Sequence, residues 1–499
     1  MNKLIPSLLL ILGLLTGCSM IKDDSRANDD YPDIDQDTSG APAIEWDKTQ
    51  DSLRTGVKTL DFYNVNDTHG AIELNGEEPG IAKISTHLKS KRNINPAGFV
   101  FTSSGDMWQG SADSNITRGA LMMEWMDYEG CAAMALGNHE FDWSIDVLKD
   151  NQTKAKHKFL ACNIIEDSTN KPVDWVEPYT TITRNGVHIG IIGAIGMGIE
   201  GSILASNVRG LTFDNPNPYV AKWSKFLKEN GADVILYLYH ESTDAMSSSL
   251  GNYVDAAFGA HNHSLEKRTL DNGVPAVEGL CNGRYVSHIT LNYDFSTSSC
   301  SYGSSGYNPV YTSLDDNPEV VAIKNKYAEQ INAIKNEEIA DLPYSFSQYS
   351  DIPLLYDRYA YKYYDEVLEG EKDIKFVVTN NARATLNAGV VTYGDLYKAL
   401  PFDNYLTVCY GKGSDILSDM TTYSSSRWYF PEEGDSLIDR NYVYEYINSN
   451  EYYYFLSIDY VVEYEGYTSW IDIQETYRQE DALPRNLLKR YLGEEYPLS

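Results

Sequence analysis

Cysteine is scarce in this chain and irregularly placed. There are six in 499 residues, at 18, 131, 162, 281, 300 and 409, and none forms a Cys-x-x-Cys pair. This excludes a disulfide scaffold and a cysteine-based zinc site, and leaves Cys281 and Cys300 as the nearest pair able to bridge. Positive charge is also short: 40 Lys and Arg against 72 Asp and Glu give a net −32. No basic stripe relieves it, so a nucleic-acid polymer is not an expected partner. Phosphate chemistry on so anionic a chain would depend on local cations, which bound metals provide. Long apolar runs are missing as well. The run from Leu4 to Leu15, broken at Pro6, Ser7 and Gly13, falls short of the roughly 20 residues a spanning helix needs. Behind Lys3 it reads as the apolar core of an export signal.

Leu15-Thr16-Gly17-Cys18 resembles the bacterial lipoprotein box. The resemblance implies a signal peptide of residues 1–17 and lipidation of Cys18. The anchor would hold the protein on the outer side of a membrane, at the cell surface or in the periplasm. Residues 18–56 are rich in Asp, Ser, Pro and Asn, and read as an acidic tether. From residue 57 the texture changes. Strands are predicted at Thr59–Val65, Phe99–Ser103, Ala132–Leu136, Phe159–Cys162, His188–Ile192, Asp233–Tyr239 and Val254–Phe258. Helical faces lie between them, Ile81, Ile84 and Leu88 on one and Val220, Trp223 and Leu227 on another. Alternation of this kind predicts an α/β layered domain over 57–314. An amphipathic stretch with Val320, Ile323, Tyr327, Ile331 and Ile334 on one stripe predicts a connecting helix over 315–342. A tyrosine-rich second domain, 343–499, follows.

Five short segments carry the chemistry: Asn66-Asp67-Thr68-His69-Gly70, Gly105-Asp106, Gly137-Asn138-His139-Glu140, His240, and Gly259-Ala260-His261-Asn262-His263. Each follows a short apolar run, which is where layered α/β sheets place their sites. Read as extended backbone, Asp67 and His69 point to one side, as do His261 and His263. Asp67, His69 and His263 would hold one divalent ion, and Asn138, His240 and His261 a second. Asp106 would bridge them through its two carboxylate oxygens. Each shell stays open for water and substrate. Mixed nitrogen and oxygen ligands suit Zn, Mn, Fe or Co alike. His139 needs no metal. It can stabilise phosphoryl charge and protonate a leaving alcohol, with Asp142 fixing its tautomer.

The ordered set Asp-x-His-Gly, Gly-Asp-x-x-Gln-Gly-Ser, Gly-Asn-His-Glu-Phe-Asp, His, Gly-x-His-x-His resembles the calcineurin-like metallophosphoesterases. More narrowly, it is similar to the bacterial 5′-nucleotidase, UDP-sugar hydrolase and 2′,3′-cyclic phosphodiesterase group. This implies an α/β (α+β) fold: an N-terminal four-layer αββα β-sandwich, a connecting helix and a C-terminal α/β substrate domain. It also implies the seven ligands named above, with His139 and Asp142 as the acid and its orienting partner. Residues 380–404 resemble the family's substrate domain. The phosphate-contacting turn reads Asn380-Asn381-Ala382-Arg383, without the family's glycines, and Arg383 keeps the phosphate role. Phe402 or Tyr405 would supply one ring of a base clamp, and a residue of Tyr452–Phe455 the other.

The expected activity is extracellular hydrolysis of nucleotide phosphoesters by metal-activated hydroxide, with a small nucleotide or phosphoester as substrate. Two alternatives stand beside it. One is a surface lipoprotein that captures a ligand or host partner, and the other is a hydrolase of a non-nucleotide ester.

Overall fold

In the strand Val57–Val65 (β1), Leu60 and Phe62 face one way, Tyr63 and Val65 the other, and all four are buried. Period-two alternation with both faces apolar places a strand inside a stack of layers. The computed structural model describes residue 34 and residues 37–420, 427–434, 436–464 and 471–498. The signal segment 1–17, Cys18 and most of the tether lie outside the described residues.

Two six-stranded sheets face each other. The first runs β12-β11-β1-β2-β3-β4, with β2 Phe99–Ser103, β3 Cys131–Ala135, β4 Lys158–Leu160, β11 Tyr285–Asp294 and β12 Ser299–Pro309. The second runs β9-β10-β8-β7-β6-β5, with β5 Tyr179–Arg184, β6 Val187–Ile195, β7 Val234–His240, β8 Ala256–Phe258, β9 Glu266–Thr269 and β10 Pro275–Glu278. Phe62, Val100 and Ile289 of the first sheet meet Ile189, Leu236 and Phe258 of the second in one shared core. Helices Ile81–Arg92 (α1) and Ala120–Tyr128 (α2) cover the outer face of the first sheet. Helix Pro216–Glu229 (α3) covers the second through Val220, Trp223 and Leu227. The result is four layers, αββα. Strands β1 to β4 are mutually parallel, as are β6, β7, β8 and β10. Their carboxyl ends share one rim, and the loops that leave it carry the ligand-type residues.

Two boundaries differ from the sequence reading. The helix expected to reach residue 342 ends at Lys335 (α4, Pro318–Lys335), and Glu338–Leu342 is a strand paired with Gly389–Thr392. Val320, Tyr327 and Ile331 pack on the first domain, whereas Ile334 is exposed and off the stripe. The described part of the tether is docked. Trp46 stacks on His188 with centroids 4.3 Å apart, and Arg54 pairs with Asp233 at 2.8 Å. An aromatic and a bidentate guanidinium anchor the segment despite its acidic composition.

The second domain is built on a sheet ordered β16-β15-β13-β17-β14-β18, with β13 Ile374–Val378, β14 Leu406–Lys412, β15 Arg427–Tyr429, β16 Leu437–Asp439, β17 Tyr452–Ile458 and β18 Asp472–Tyr477. Helices Asp351–Glu366 (α5) and Pro484–Glu495 (α6) pack on it. Asp357 of α5 is fully buried, and its Oδ1 accepts from the Thr379 hydroxyl at 2.6 Å. Burial pushes its carboxyl up to about 8, against the pull of that hydrogen bond. The folded protein therefore keeps a proton that the unfolded chain has lost above about pH 4. This contribution to stability is whole at low pH and is lost as the pH rises from about 4 to about 8. Melting temperature followed from pH 5 to 9 should fall more steeply for wild type than for Asp357→Asn. Equal slopes would contradict the assignment.

Candidate metal centre

The segments after β1, β2 and β8 do not stay extended. Asp67, His69, Asp106, His261 and His263 have φ of 48°, 47°, 55°, 73° and 53°. Left-handed backbone costs a non-glycine residue of order 1–3 kcal/mol, and such strain clusters at functional sites. The side chains converge as the spacing predicts, but through tight left-handed turns rather than by alternation. Two glycines allow the close approach. A Cβ on Gly105 would lie 2.8 Å from His240 Nδ1, and one on Gly137 would lie 2.2 Å from Asp106 Oδ1.

All seven ligand-type residues meet at this rim. His69 Nε2 lies 2.9 Å from His263 Nε2, and His263 Nε2 lies 3.6 Å from Asp67 Oδ1. Beside them, His240 Nε2 lies 3.3 Å from Asp106 Oδ2 and 3.1 Å from Asn138 Oδ1. The rings of His240 and His261 are 5.3 Å apart. Asp67 and Asp106 are buried, and Asp106 belongs to the group with His240 and His261 as well as to one with His69.

Tautomers decide what this arrangement can bind. His69 Nδ1 donates to the Gln109 carbonyl at 3.1 Å and His240 Nδ1 to the Ser104 carbonyl at 2.8 Å. Each ring therefore turns the Nε2 lone pair inward. His240 Nε2 then faces the oxygens of Asn138 and Asp106, so acceptors meet acceptors and a positive charge must sit among them. A proton on Nε2 is one such charge. Burial opposes it, but Asp106 raises His240 to about 9. Hydrogen bonds to Asp67 and Cys281 raise His263 to about 10. Burial works against ionising Asp106 too, yet the His240 and His139 rings hold its carboxyl well below the usual range. Asp67, His69 and His263 form one converging group and Asp106, His240 and His261 another, and their nitrogens and carboxylates suit a divalent cation on donor chemistry.

His139 stands apart. Its Nδ1 bonds Asp142 Oδ2 at 2.7 Å, and its backbone N–H donates to Asp106 Oδ1 at 2.9 Å. Burial disfavours its charge, but Asp142 and Asp106 raise it to about 10. It is close enough to His69 and Asp106 to form a third group with them. Its pairing with Asp142 leaves Nε2 to carry a proton into the cavity.

The sequence alone gives Glu140, inside the Gly-Asn-His-Glu motif, no role. It is buried and its carboxylate accepts from three backbone N–H groups: Asp106 at 2.8 Å, Met107 at 2.9 Å and Gly137 at 2.7 Å. It therefore clamps the loops of β2 and β3 together and aims Asp106. A buried acid beside three loop amides leaves no periodic signal.

A cavity of about 220 Å³ joins this centre to the second domain, lined by Asp106, Asn138, His139, Ser202, His261, His263, Asn380, Arg383, Phe402 and Tyr460. Asn380, Arg383 and Phe402 are among the lining residues, and Asn381 is not. The rings sought in Tyr452–Phe455 are elsewhere. Phe455 is buried against Phe376, and Tyr452 and Tyr454 pack on Tyr410. Tyr405 does not line the cavity, and Tyr460 and Ser202 do. Nothing in a chain with 39 tyrosines singles out Tyr460. Arg118 and Asp403 pair across the domains at 3.4 Å, and Asn115 Nδ2 donates to the Pro401 carbonyl at 3.3 Å.

Residues 60–265 match the family model described as calcineurin-like phosphoesterase, and residues 360–481 match that of the 5′-nucleotidase C-terminal domain. Endonuclease YhcR of Bacillus subtilis is 25% identical over 400 residues, 72% of this chain and 32% of that protein. A 5′-nucleotidase-related protein of Glossina morsitans morsitans is 24% identical over 402 residues, 69% of this chain and 71% of that protein. Cell wall protein Lmo0130 of Listeria monocytogenes is 23% identical over 450 residues, 74% of this chain and 57% of that protein. The chain thus spans between 32% and 71% of these relatives' lengths. A crystal structure of a 5′-nucleotidase precursor from Thermus thermophilus shares the fold, with a TM-score of 0.65 at 19% identity over 89% of this chain and 97% of that one.

Proposed function

Because the chain joins a calcineurin-like phosphoesterase domain to a 5′-nucleotidase C-terminal domain, we propose that it hydrolyses nucleotide phosphoesters at the rim between them. The observation that carries this reading is one cavity lined by Asp106, Asn138, His139, His261 and His263 together with Arg383 and Phe402. Two divalent cations, held by Asp67, His69 and His263 and by Asn138, His240 and His261 with Asp106 shared, would supply positive charge to the phosphoryl oxygens and acidify a water.

The remaining work falls to this chain's own side chains. His139, kept protonated by Asp142 and Asp106, gives a proton to the departing alkoxide oxygen and stabilises charge on the phosphoryl group. Asp142 holds its Nδ1–H, so the proton that leaves is the one on Nε2. Arg383 and Asn380 bind phosphate oxygens from the opposite wall. The Arg383 guanidinium lies 5.6 Å from the Phe402 ring centroid, which fixes its approach. Phe402 and Tyr460 offer ring faces to a planar base. The catalytic unit is residues 57–314, and 343–499 the substrate unit.

An extracytoplasmic location, through a lipid on Cys18, is part of the proposal. Its support is the Leu15–Cys18 box, and Lmo0130 is a cell wall relative. Among the described residues no helix is long and apolar enough to cross a membrane.

The absence of glycine from Asn380-Asn381-Ala382-Arg383 favours a second reading, ligand capture without turnover. A substrate panel separates the two. Chelator-stripped protein given back Mn²⁺ or Zn²⁺ should release phosphate from nucleoside monophosphates, or cleave a UDP-sugar or a 2′,3′-cyclic nucleotide. Metal-independent silence across the panel would favour capture.

A further inference from the structure

Arg485 is the second residue of α6, and its side chain is 3% exposed. It lies beyond residue 481, where the match to the 5′-nucleotidase C-terminal model ends. A buried charge is costly unless it is paired and hydrogen-bonded. The contacts of Arg485 converge on one loop, residues 400–403. Nη1 donates to the Phe402 carbonyl at 3.1 Å and to the Leu400 carbonyl at 3.5 Å, and Nη2 donates to Asp403 Oδ1. The guanidinium also lies over the Tyr397 ring, 4.1 Å from its centroid. A planar fork of donors can serve two carbonyls and a carboxylate at once, whereas a lysine ammonium is a point charge on a flexible stem.

The loop so held carries part of the cavity wall. Phe402 lines the cavity beside Arg383 and Tyr460. Arg383 is fastened to the same stretch, for its backbone N–H donates to the Ala399 carbonyl at 2.7 Å and its guanidinium lies 5.6 Å from the Phe402 ring centroid. The catalytic domain reaches the loop from the other side, with Asn115 Nδ2 on the Pro401 carbonyl and Arg118 Nη1 on Asp403 Oδ2. The two oxygens of Asp403 are therefore divided between a buried guanidinium of its own domain and one from the catalytic domain that is 52% exposed. An exposed pair at 3.4 Å adds little, and the buried one is the anchor.

We propose that Arg485 is a positioning residue for the substrate wall: its guanidinium fixes the 400–403 loop so that the Phe402 ring and the Arg383 guanidinium stand preformed in the cavity. This rests on the reading of Phe402 and Arg383 as substrate-binding residues. Without its anchor the loop is ordered only when substrate binds, and that ordering is subtracted from affinity. The metal-ligand residues and His139 lie on the other domain and keep their places, so the loss falls on KM and spares kcat.

The test is steady-state kinetics of the Mn²⁺-loaded full chain on AMP, or on the best substrate of the panel where AMP is not turned over. Metal content and melting temperature are measured for every variant. Arg485→Met keeps the length and removes the donors; it should raise KM about tenfold, with kcat and metal content close to wild type. Should methionine prevent folding by leaving Asp403 uncompensated, Arg485→Lys keeps the charge and carries the same comparison. Phe402→Ala supplies a double-mutant cycle, in which the combined rise in KM should fall well short of the product of the two single effects. A wild-type KM in both Arg485 variants overturns the proposal, as does a full product in the cycle or a loss of metal. If Phe402→Ala and Arg383→Ala leave KM unchanged, or wild type turns over nothing in the panel, the substrate-wall reading falls and takes the proposal with it. If those two raise KM and the Arg485 variants do not, the proposal falls alone.

Discussion

Asp106→Ala should retain neither cation firmly and should release no detectable phosphate from any substrate that wild type accepts. The carboxylate is shared: Oδ2 lies 3.3 Å from His240 Nε2, Oδ1 takes the His139 N–H at 2.9 Å, and the side chain also groups with His69. Its removal leaves Asp67 as the one carboxylate among the inward-facing imidazoles, so the positive charge that both shells attract loses its common counter-charge. Ligand substitutions such as His261→Ala act on one shell, and one equivalent should persist in the other. Metal content after gel filtration reads the difference. An Asp106→Ala protein that still holds two equivalents contradicts the bridging role.

His139→Ala should behave in the opposite way. It should hold both metals at wild-type affinity while kcat on a nucleoside monophosphate drops about 10²–10⁴-fold, the usual scale for losing a positioned acid. The proton is needed because an alkoxide is a poor leaving group. A p-nitrophenyl ester departs without help, so its hydrolysis should fall far less. The ratio of the two losses is therefore diagnostic. If metal content fell with His139→Ala, the ring would be a ligand, as its proximity to His69 and Asp106 allows. Equal losses on both substrates would remove the acid role but keep the electrostatic one.

Much of this centre was legible because chemistry-bearing residues ended apolar runs. Phe99–Ser103 and Asp233–Tyr239 read as buried strands on composition alone, and Asp106 and His240 stand just past their carboxyl ends. What stayed hidden depended on backbone conformation or on partners distant in sequence. Left-handed φ at Asp67 and His263 is invisible to a period-two reading. Glu140 acts through amides 33 and 34 residues away. Tyr460 and Tyr452 look alike in sequence, and only the π-helical turn after β17 brings the first to the cavity. Acidity dominates the neighbourhood of Trp46 and predicts a tether, whereas its ring, stacked on His188, helps dock the segment.

The proposed centre places two cations side by side with one carboxylate between them. Anomalous diffraction from crystals grown with Mn²⁺ examines it directly. Two peaks should appear, one among Asp67, His69 and His263 and one among Asn138, His240 and His261, each in contact with an oxygen of Asp106. A single peak, or a pair that Asp106 does not join, would contradict it.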